Sequence, residues 1–511
     1  MNNSKLLVAV IGLLFIFIGC KEERKVQKIN LSELTISKIH NAYIAGDYTS
    51  EQLVKTYLDR IKKSDSTINS ISFINLRAVE IARKLDREYQ QTKKLRPLHG
   101  IPIIVKDNIN TKGLPTTGGS LALQDFIPTE DAFIIKKLVA AGAIIIAKSN
   151  MAEWAFSAKH TESSTHGITR NPYNLNYVPA GSSGGTAASI TSNFGVIGLG
   201  TDTGNSIRGP SSHNALVGFR TTIGLISRSA IIPLILRNDV VGPMCRTVED
   251  ATKTLEIMVG FDADDSITKY SKGKTPDNYQ QFLQKNGLKG ARIGVLRELS
   301  EANVDAEIKT LFEQSIVDLK KLGAIIIDPF IVPNFSELKK NQWCSEFRED
   351  VEAYFLTYVK RDSIKTLEDI MRIGTKSAYA KRQLKMFGSN TGRFGSKEIP
   401  CKDAYTDIKR IAFRKAIEKA MDSLKLDAII YPTWNNKPAR IIAFEEEYKG
   451  DNNQIIAPHT GQPAFTVPMG FTKGNLPAGL QFLGRMYAEP ILIKLAYSYE
   501  QGTKHRISPK N

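Results

Sequence analysis

The sequence predicts an α/β domain whose strands are buried, and three features carry that expectation. Apolar runs too short for helices, rich in isoleucine and valine, recur along the chain. Stretches of helical period lie between them, one opened by a marked start signal, Thr49 followed by Gln52. The composition, 42% hydrophobic and 24% charged over 511 residues, is that of a globular chain able to bury a large core. No repeat of solenoid length and no long low-complexity tract is present, so a large domain, with or without an insertion, is expected.

The chain begins MNNSKLLVAVIGLLFIFIGC, with one early cation, Lys5, and an apolar run from Leu6 to Ile18. That run is shorter than the roughly 20 residues a spanning helix needs, so it reads as a secretion signal. Its end, Phe17-Ile18-Gly19-Cys20, resembles the lipobox of bacterial lipoproteins, with phenylalanine where leucine is usual. The resemblance implies a signal peptide over residues 1–19, lipidation of Cys20 and a membrane-anchored place in the bacterial cell envelope. Lys21-Glu22-Glu23 resembles the signal that sends some lipoproteins to the outer face of the outer membrane. A plain secretory signal or a short uncleaved anchor is the alternative.

The elements then follow in order. From Leu31 to about Lys63 the chain reads as helical, with Leu53, Val54, Tyr57, Leu58 and Ile61 on one face. Strands are expected at Ile101–Val105, Ala143–Ala147, Val196–Leu199, Ile293–Leu296, Ala324–Ile327 and Ala428–Tyr431, and a helix at Ala132–Ala140. Residues 336–425 read as a mostly helical insertion, carrying Trp343, Phe347, Tyr354 and Phe355, aromatics at a spacing that suits core.

Composition also excludes some classes. The 69 Lys+Arg against 52 Asp+Glu give a net charge of +17, but the basic residues are scattered and not interleaved with aromatics, so no nucleic-acid partner is expected. Apart from Cys20, the cysteines Cys245, Cys344 and Cys401 are few and far apart, with no C-x-x-C pair. Neither a disulfide framework nor a metal site is expected from them.

Three stretches carry chemistry. Residues 179–187 read PAGSSGGTA; Gly181 to Gly185 match G-x-S-x-G, which would make Ser183 a hydrolase nucleophile, although a glycine turn before a helix reads equally well. That hydrolase would need His213 or His459 as base. The second stretch places Lys106 at the end of the apolar run Ile101–Val105. Burial lowers a lysine's pKa, so such an amine can accept a proton near neutrality, whereas a salt-bridged lysine would be structural. The third is Gly200-Thr201-Asp202-Thr203-Gly204-Asn205-Ser206-Ile207-Arg208.

Together these stretches resemble the amidase signature family, whose members hydrolyse carboxamides with a Ser-Ser-Lys triad. Flanking text at 49–61, 136–153, 241–250 and 476–484 is similar as well, so the resemblance runs over an amidase domain spanning 31–505. It implies the amidase-signature fold, a large mixed β-sheet enclosed by helices. It implies further that Ser206 is the nucleophile, that Ser182, preceded by a cis peptide, bridges it to Lys106, and that the N–H groups of Thr203, Gly204 and Asn205 bind the oxyanion. Asn205 stands where glycine is frequent. The expected activity is amide hydrolysis on a small-molecule or peptide amide, without metal or cofactor. A non-catalytic envelope lipoprotein that binds such ligands, or the glutaminase subunit of an amidotransferase, is the alternative; the export signal argues against the latter.

Overall fold

The computed structural model describes residues 29–344, 346–388 and 401–510. The signal peptide and Cys20 lie outside the described residues. The strands are β1 (Ile71–Ile74), β2 (Pro102–Lys106), β3 (Ile144–Ser149), β4 (Glu162–Ser163), β5 (Gly167–Ile168), β6 (Ile197–Asp202), β7 (Val217–Arg220), β8 (Val240–Cys245), β9 (Arg292–Val295), β10 (Ile325–Ile327), β11 (Ala428–Pro432), β12 (Ala464–Phe471) and β13 (Pro477–Leu483).

Apart from the β4–β5 hairpin, they form one 11-stranded sheet in the order β1-β3-β2-β6-β8-β7-β12-β13-β11-β9-β10. Two parallel trios, β3-β2-β6 and β11-β9-β10, flank an antiparallel middle. Helices cover the sheet, which makes this the large mixed sheet of an α/β fold.

All six expected strands are present, and they are the two parallel trios; five of them are largely buried and therefore apolar, while β10, at the edge of the sheet, is partly exposed. The antiparallel middle escaped the sequence reading because glycine and proline interrupt it. A Cβ on Gly242 of β8 would collide with the carbonyl oxygen of Phe219 on β7, so the close approach of those strands excludes a side chain there. Pro468 of β12 sits where the β12–β13 register shifts, a position that tolerates proline.

The expected helix over 31–63 is two helices, Ile36–Ala45 and Ser50–Ile68, broken where Gly46 turns left-handed at φ 74°. Thr49 and Gln52 form the capping box: Gln52 N–H donates to the Thr49 hydroxyl and Thr49 N–H to the Gln52 side chain. Helix Gly184–Thr191 is buried throughout its length against β6 and β2. Its small residues permit that approach.

Between residues 335 and 423 lie the helices Phe347–Tyr354, Leu367–Ile373, Ala378–Gly388 and Ile408–Ser423. Phe347, Tyr354 and Phe355 are buried in a second hydrophobic cluster that joins the first three of these helices to Trp154, Phe156 and Ile232.

One expectation is corrected. Cys344 and Cys401 form a disulfide with Cα atoms 5.8 Å apart, while Cys245 is free and buried in β8. The two half-cystines are 57 residues apart in sequence, and only the folding back of the helices between them makes them neighbours. Loop-closure entropy for a ring of that size corresponds to about 4 kcal/mol. Replacing both cysteines by serine should therefore lower the unfolding temperature by several degrees relative to the oxidised wild type, and reductant should lower the wild type alone; calorimetry of the two proteins with and without reductant checks this.

Candidate active site

Parallel pairing of β2 and β6, with Val105 beside Leu199, brings the carboxyl ends of both strands to one edge. Crevices form at such edges because the chains leave the sheet there. Lys106 is the last residue of β2 and Asp202 the last of β6.

Lys106 is fully buried, and its Nζ donates to Ser182 Oγ at 2.7 Å and Thr201 Oγ1 at 2.8 Å. Hydroxyls thus hold the amine where a structural lysine would have a carboxylate. Lys148 on β3 supplies the contrast, lying 3.7 Å from the Asp107 carboxylate. Burial lowers the Lys106 pKa to about 7, against the opposing pull of the Asp239 and Asp202 charges. The amine is therefore available as a proton acceptor near neutrality. Asn108 Nδ2 donates to Thr201 Oγ1 at 3.1 Å and to the carbonyl of Ile232 at 3.2 Å, which fixes the hydroxyl that meets Lys106.

Ser182 lies in the turn before helix Gly184–Thr191, and the Gly181–Ser182 peptide is cis. Glycine is required on both sides. A Cβ at 181 would strike the carbonyl oxygens of His160 and Ser157, and one at 185 the carbonyl of Asn150. Ser183 points elsewhere and donates to the carbonyl of Thr201 at 3.2 Å. Only the first serine of the pair meets the lysine.

The turn holding Thr203, Gly204, Asn205 and Ser206 runs from the end of β6 to helix Arg208–His213. Buried Asp202 anchors it. Its carboxylate accepts from the N–H groups of Ile207 and Arg208, from Arg208 Nε at 3.1 Å and from Arg220 Nη1 at 2.7 Å. Burial alone would raise the Asp202 pKa, but the Arg208 and Arg220 charges outweigh it and bring it down to about 2. Arg208 also donates to the carbonyl of Gly204 at 2.6 Å and to Gln481 Oε1 on β13 at 3.0 Å. Thr203 and Ser206 each keep 5% of their surface open, whereas Asn205 is closed off at 1%. The Asn205 amide is turned toward Gly209, where an added Cβ would approach its Nδ2 to 2.5 Å.

Lys106 and Ser182 are thus joined directly, while Ser206 and the 203–205 backbone lie on the turn that continues from Thr201. The histidines stand apart. His213 is stacked on Trp434 at 4.6 Å, and burial depresses its pKa to about 3; His459 is buried edge-on to Trp343. Sequence reasoning missed Thr201, Asn108 and Arg220. Thr201 stood inside a quoted motif without a role, Asn108 follows Lys106 closely in sequence, and Arg220, on β7, carries no local signal.

Comparison with known proteins agrees with this geometry. A model of the amidase family matches residues 52–493. A probable amidase of Arabidopsis thaliana is 34% identical over 503 residues, covering 94% of this chain and 92% of that protein. A glutamyl-tRNA(Gln) amidotransferase subunit of Alkaliphilus metalliredigens is 34% identical over 496 residues, covering 93% of this chain and 97% of that protein. The solved structure of peptide amidase from Stenotrophomonas maltophilia superposes with a TM-score of 0.82 at 32% identity, covering 94% of this chain and 99% of that one.

Proton acceptance by Lys106 sets a pH dependence. Hydrolysis should rise with pH through an apparent pKa near 7, owned by the lysine–serine system as a whole, and level off above it; initial rates across a pH series check this. The stability effect has the same sign. The unfolded lysine keeps its proton to about 10.5 and the folded one only to about 7, so its burial opposes folding fully below pH 7 and less as pH rises toward 10.5. Lys106→Met should therefore stabilise the protein more at pH 6 than at pH 9 while removing activity.

Proposed function

The chain belongs to the amidase signature family and is a hydrolase of carbon–nitrogen bonds in amides, and on that premise we propose that Ser206, Ser182 and Lys106 are its catalytic residues. One observation carries the assignment: the buried Lys106 amine, its pKa lowered by burial, within 2.7 Å of Ser182 Oγ. Ser206 Oγ attacks the amide carbonyl as its proton passes to Ser182 Oγ and the Ser182 proton to Lys106. The oxyanion is met by the N–H groups of Thr203, Gly204 and Asn205 together with that of Ser206, one such donor being worth about 3 kcal/mol. Lys106 returns its proton through Ser182 to the departing amine, the carbon–nitrogen bond breaks, and water then hydrolyses the Ser206 ester by the same relay.

We infer a small-molecule or peptide amide as substrate, a reading supported by likeness to a peptide amidase. We also place the enzyme in the bacterial cell envelope, anchored to the outer membrane through lipidated Cys20. The Phe17–Cys20 motif supports this, and so does the Cys344–Cys401 disulfide, since such bonds persist chiefly in oxidising compartments. The same features argue against an amidotransferase role, despite the related subunits.

A fluorophosphonate probe distinguishes an enzyme from a binding protein. Wild type should label; Ser206→Ala should not, and should lose at least about 10⁴ in kcat. Ser183→Ala should retain far more activity than Ser182→Ala. The opposite ranking of those two serines would make Ser183 the nucleophile. For location, Cys20→Ser should abolish incorporation of an alkyne-tagged fatty acid that the wild type acquires in a bacterium competent for lipoprotein maturation; an unlabelled wild type would exclude the anchor.

A further inference from the structure

We propose that Asp239 is a positioning residue of the hydrolytic site, acting through Thr203 to set the turn that carries the nucleophile and through its charge on Lys106. The inference rests on the roles assigned above to Lys106 and the 203–206 turn. Asp239 immediately precedes β8, 8% exposed, and accepts from the Thr203 hydroxyl at 2.5 Å. Its other oxygen accepts from the N–H of Leu234 at 2.9 Å and of Ile235 at 3.2 Å. One carboxylate therefore ties the 203–206 turn to the apolar loop running from Ile231 to Leu236.

That loop is itself held from outside, because Leu236 N–H donates to Asp350 on helix Phe347–Tyr354 at 2.9 Å. Thr203, Asp239, Leu234 and Leu236, with Asn108 and Thr201, line a narrow cavity beside the lysine. The hydroxyl that meets Lys106 and the side chain that Asp239 grips thus face the same space.

The two aspartates near Lys106 differ in how their charge is used. Asp202 is bound by Arg208 and Arg220. The hydrogen-bond donors to Asp239 are neutral, and Arg228, which lines the same cavity, is paired with Asp265 at 2.6 Å. The charge of Asp239 also acts on Lys106, Arg220 and Asp350. At Lys106 it favours the protonated amine and opposes the effect of burial.

A cap for the 234–235 turn alone would explain the N–H contacts but not the link to Thr203. Full pH profiles of kcat and KM for Asp239→Asn and Thr203→Val in the full chain, with unfolding temperatures, separate the two. Both substitutions should lower kcat by about tenfold to a hundredfold, as misplacement of catalytic groups does, with KM little changed. Asp239→Asn alone should move the acid limb toward lower pH, by about one unit, because an anion facing Lys106 is removed; Thr203→Val keeps that anion and should leave the limb in place. An Asp239→Asn enzyme that loses only thermal stability, with kcat and limb unchanged, would overturn the proposal. Should that variant fail to fold, an undiminished kcat in Thr203→Val overturns it equally. A wild type that neither labels with fluorophosphonate nor hydrolyses amides would refute the assigned triad instead.

Discussion

An amine buried with hydroxyls for partners, and no carboxylate to hold its proton, is the constraint around which this chain is organised. Water would restore the lysine's ordinary affinity for protons, so Lys106 must be sealed, and the end of β2 is sealed by being second from the edge of a parallel trio. The seal has consequences in sequence. The helix laid over β2 and β6 consists of Gly184, Gly185, Thr186, Ala187, Ala188, Ser189, Ile190 and Thr191, because larger residues would lift it from the strands. Gly198 on β6 answers it, since a Cβ there would press into Thr186.

The second requirement is a turn that holds its backbone N–H groups toward one point. Short turns after a strand are mobile unless tied, and this one is tied from both ends of its own sequence. Asp202 before it and Arg208 after it bond each other, and each also bonds backbone of the turn or of the helix start. Such a buried pair is expensive to desolvate, and breaking it would leave an uncompensated charge. Arg220 from β7 and Gln481 from β13 complete the coordination. The antiparallel middle of the sheet thereby reaches the site whose main residues come from the parallel trio.

This division of labour explains what could be read from the sequence. Strands buried on both faces are apolar throughout, and Ile103–Ile104–Val105 or Ile429–Ile430–Tyr431 stand out in any reading of hydrophobic runs. β7, β8 and β13 hide because their glycines serve close strand and helix approach, as at Gly218 under Ser211 and Gly242 under Phe219. The local motifs of the site were visible because they are contiguous. Arg220, Gln481 and the Cys344–Cys401 bond were not, since each pairs residues whose proximity exists only after the sheet and its helical cover have formed.

The choice between Ser182 and Ser183 shows why a motif alone could not decide. Both are fully buried, adjacent and small, and both hydroxyls engage groups at the end of β6 or β2. What separates them is the direction in which each hydroxyl leaves the turn. Ser182 points at the Lys106 amine, whose proton affinity burial has reduced, and Ser183 at the carbonyl of Thr201, an acceptor that takes up its hydroxyl proton in a hydrogen bond without removing it. A serine becomes useful to a proton relay only when its neighbour can change protonation state near the working pH. That property belongs to Lys106, residues away in sequence and on another strand, so the first serine acquires its place in the chemistry from the fold and not from the pattern Gly-Ser-Ser-Gly-Gly.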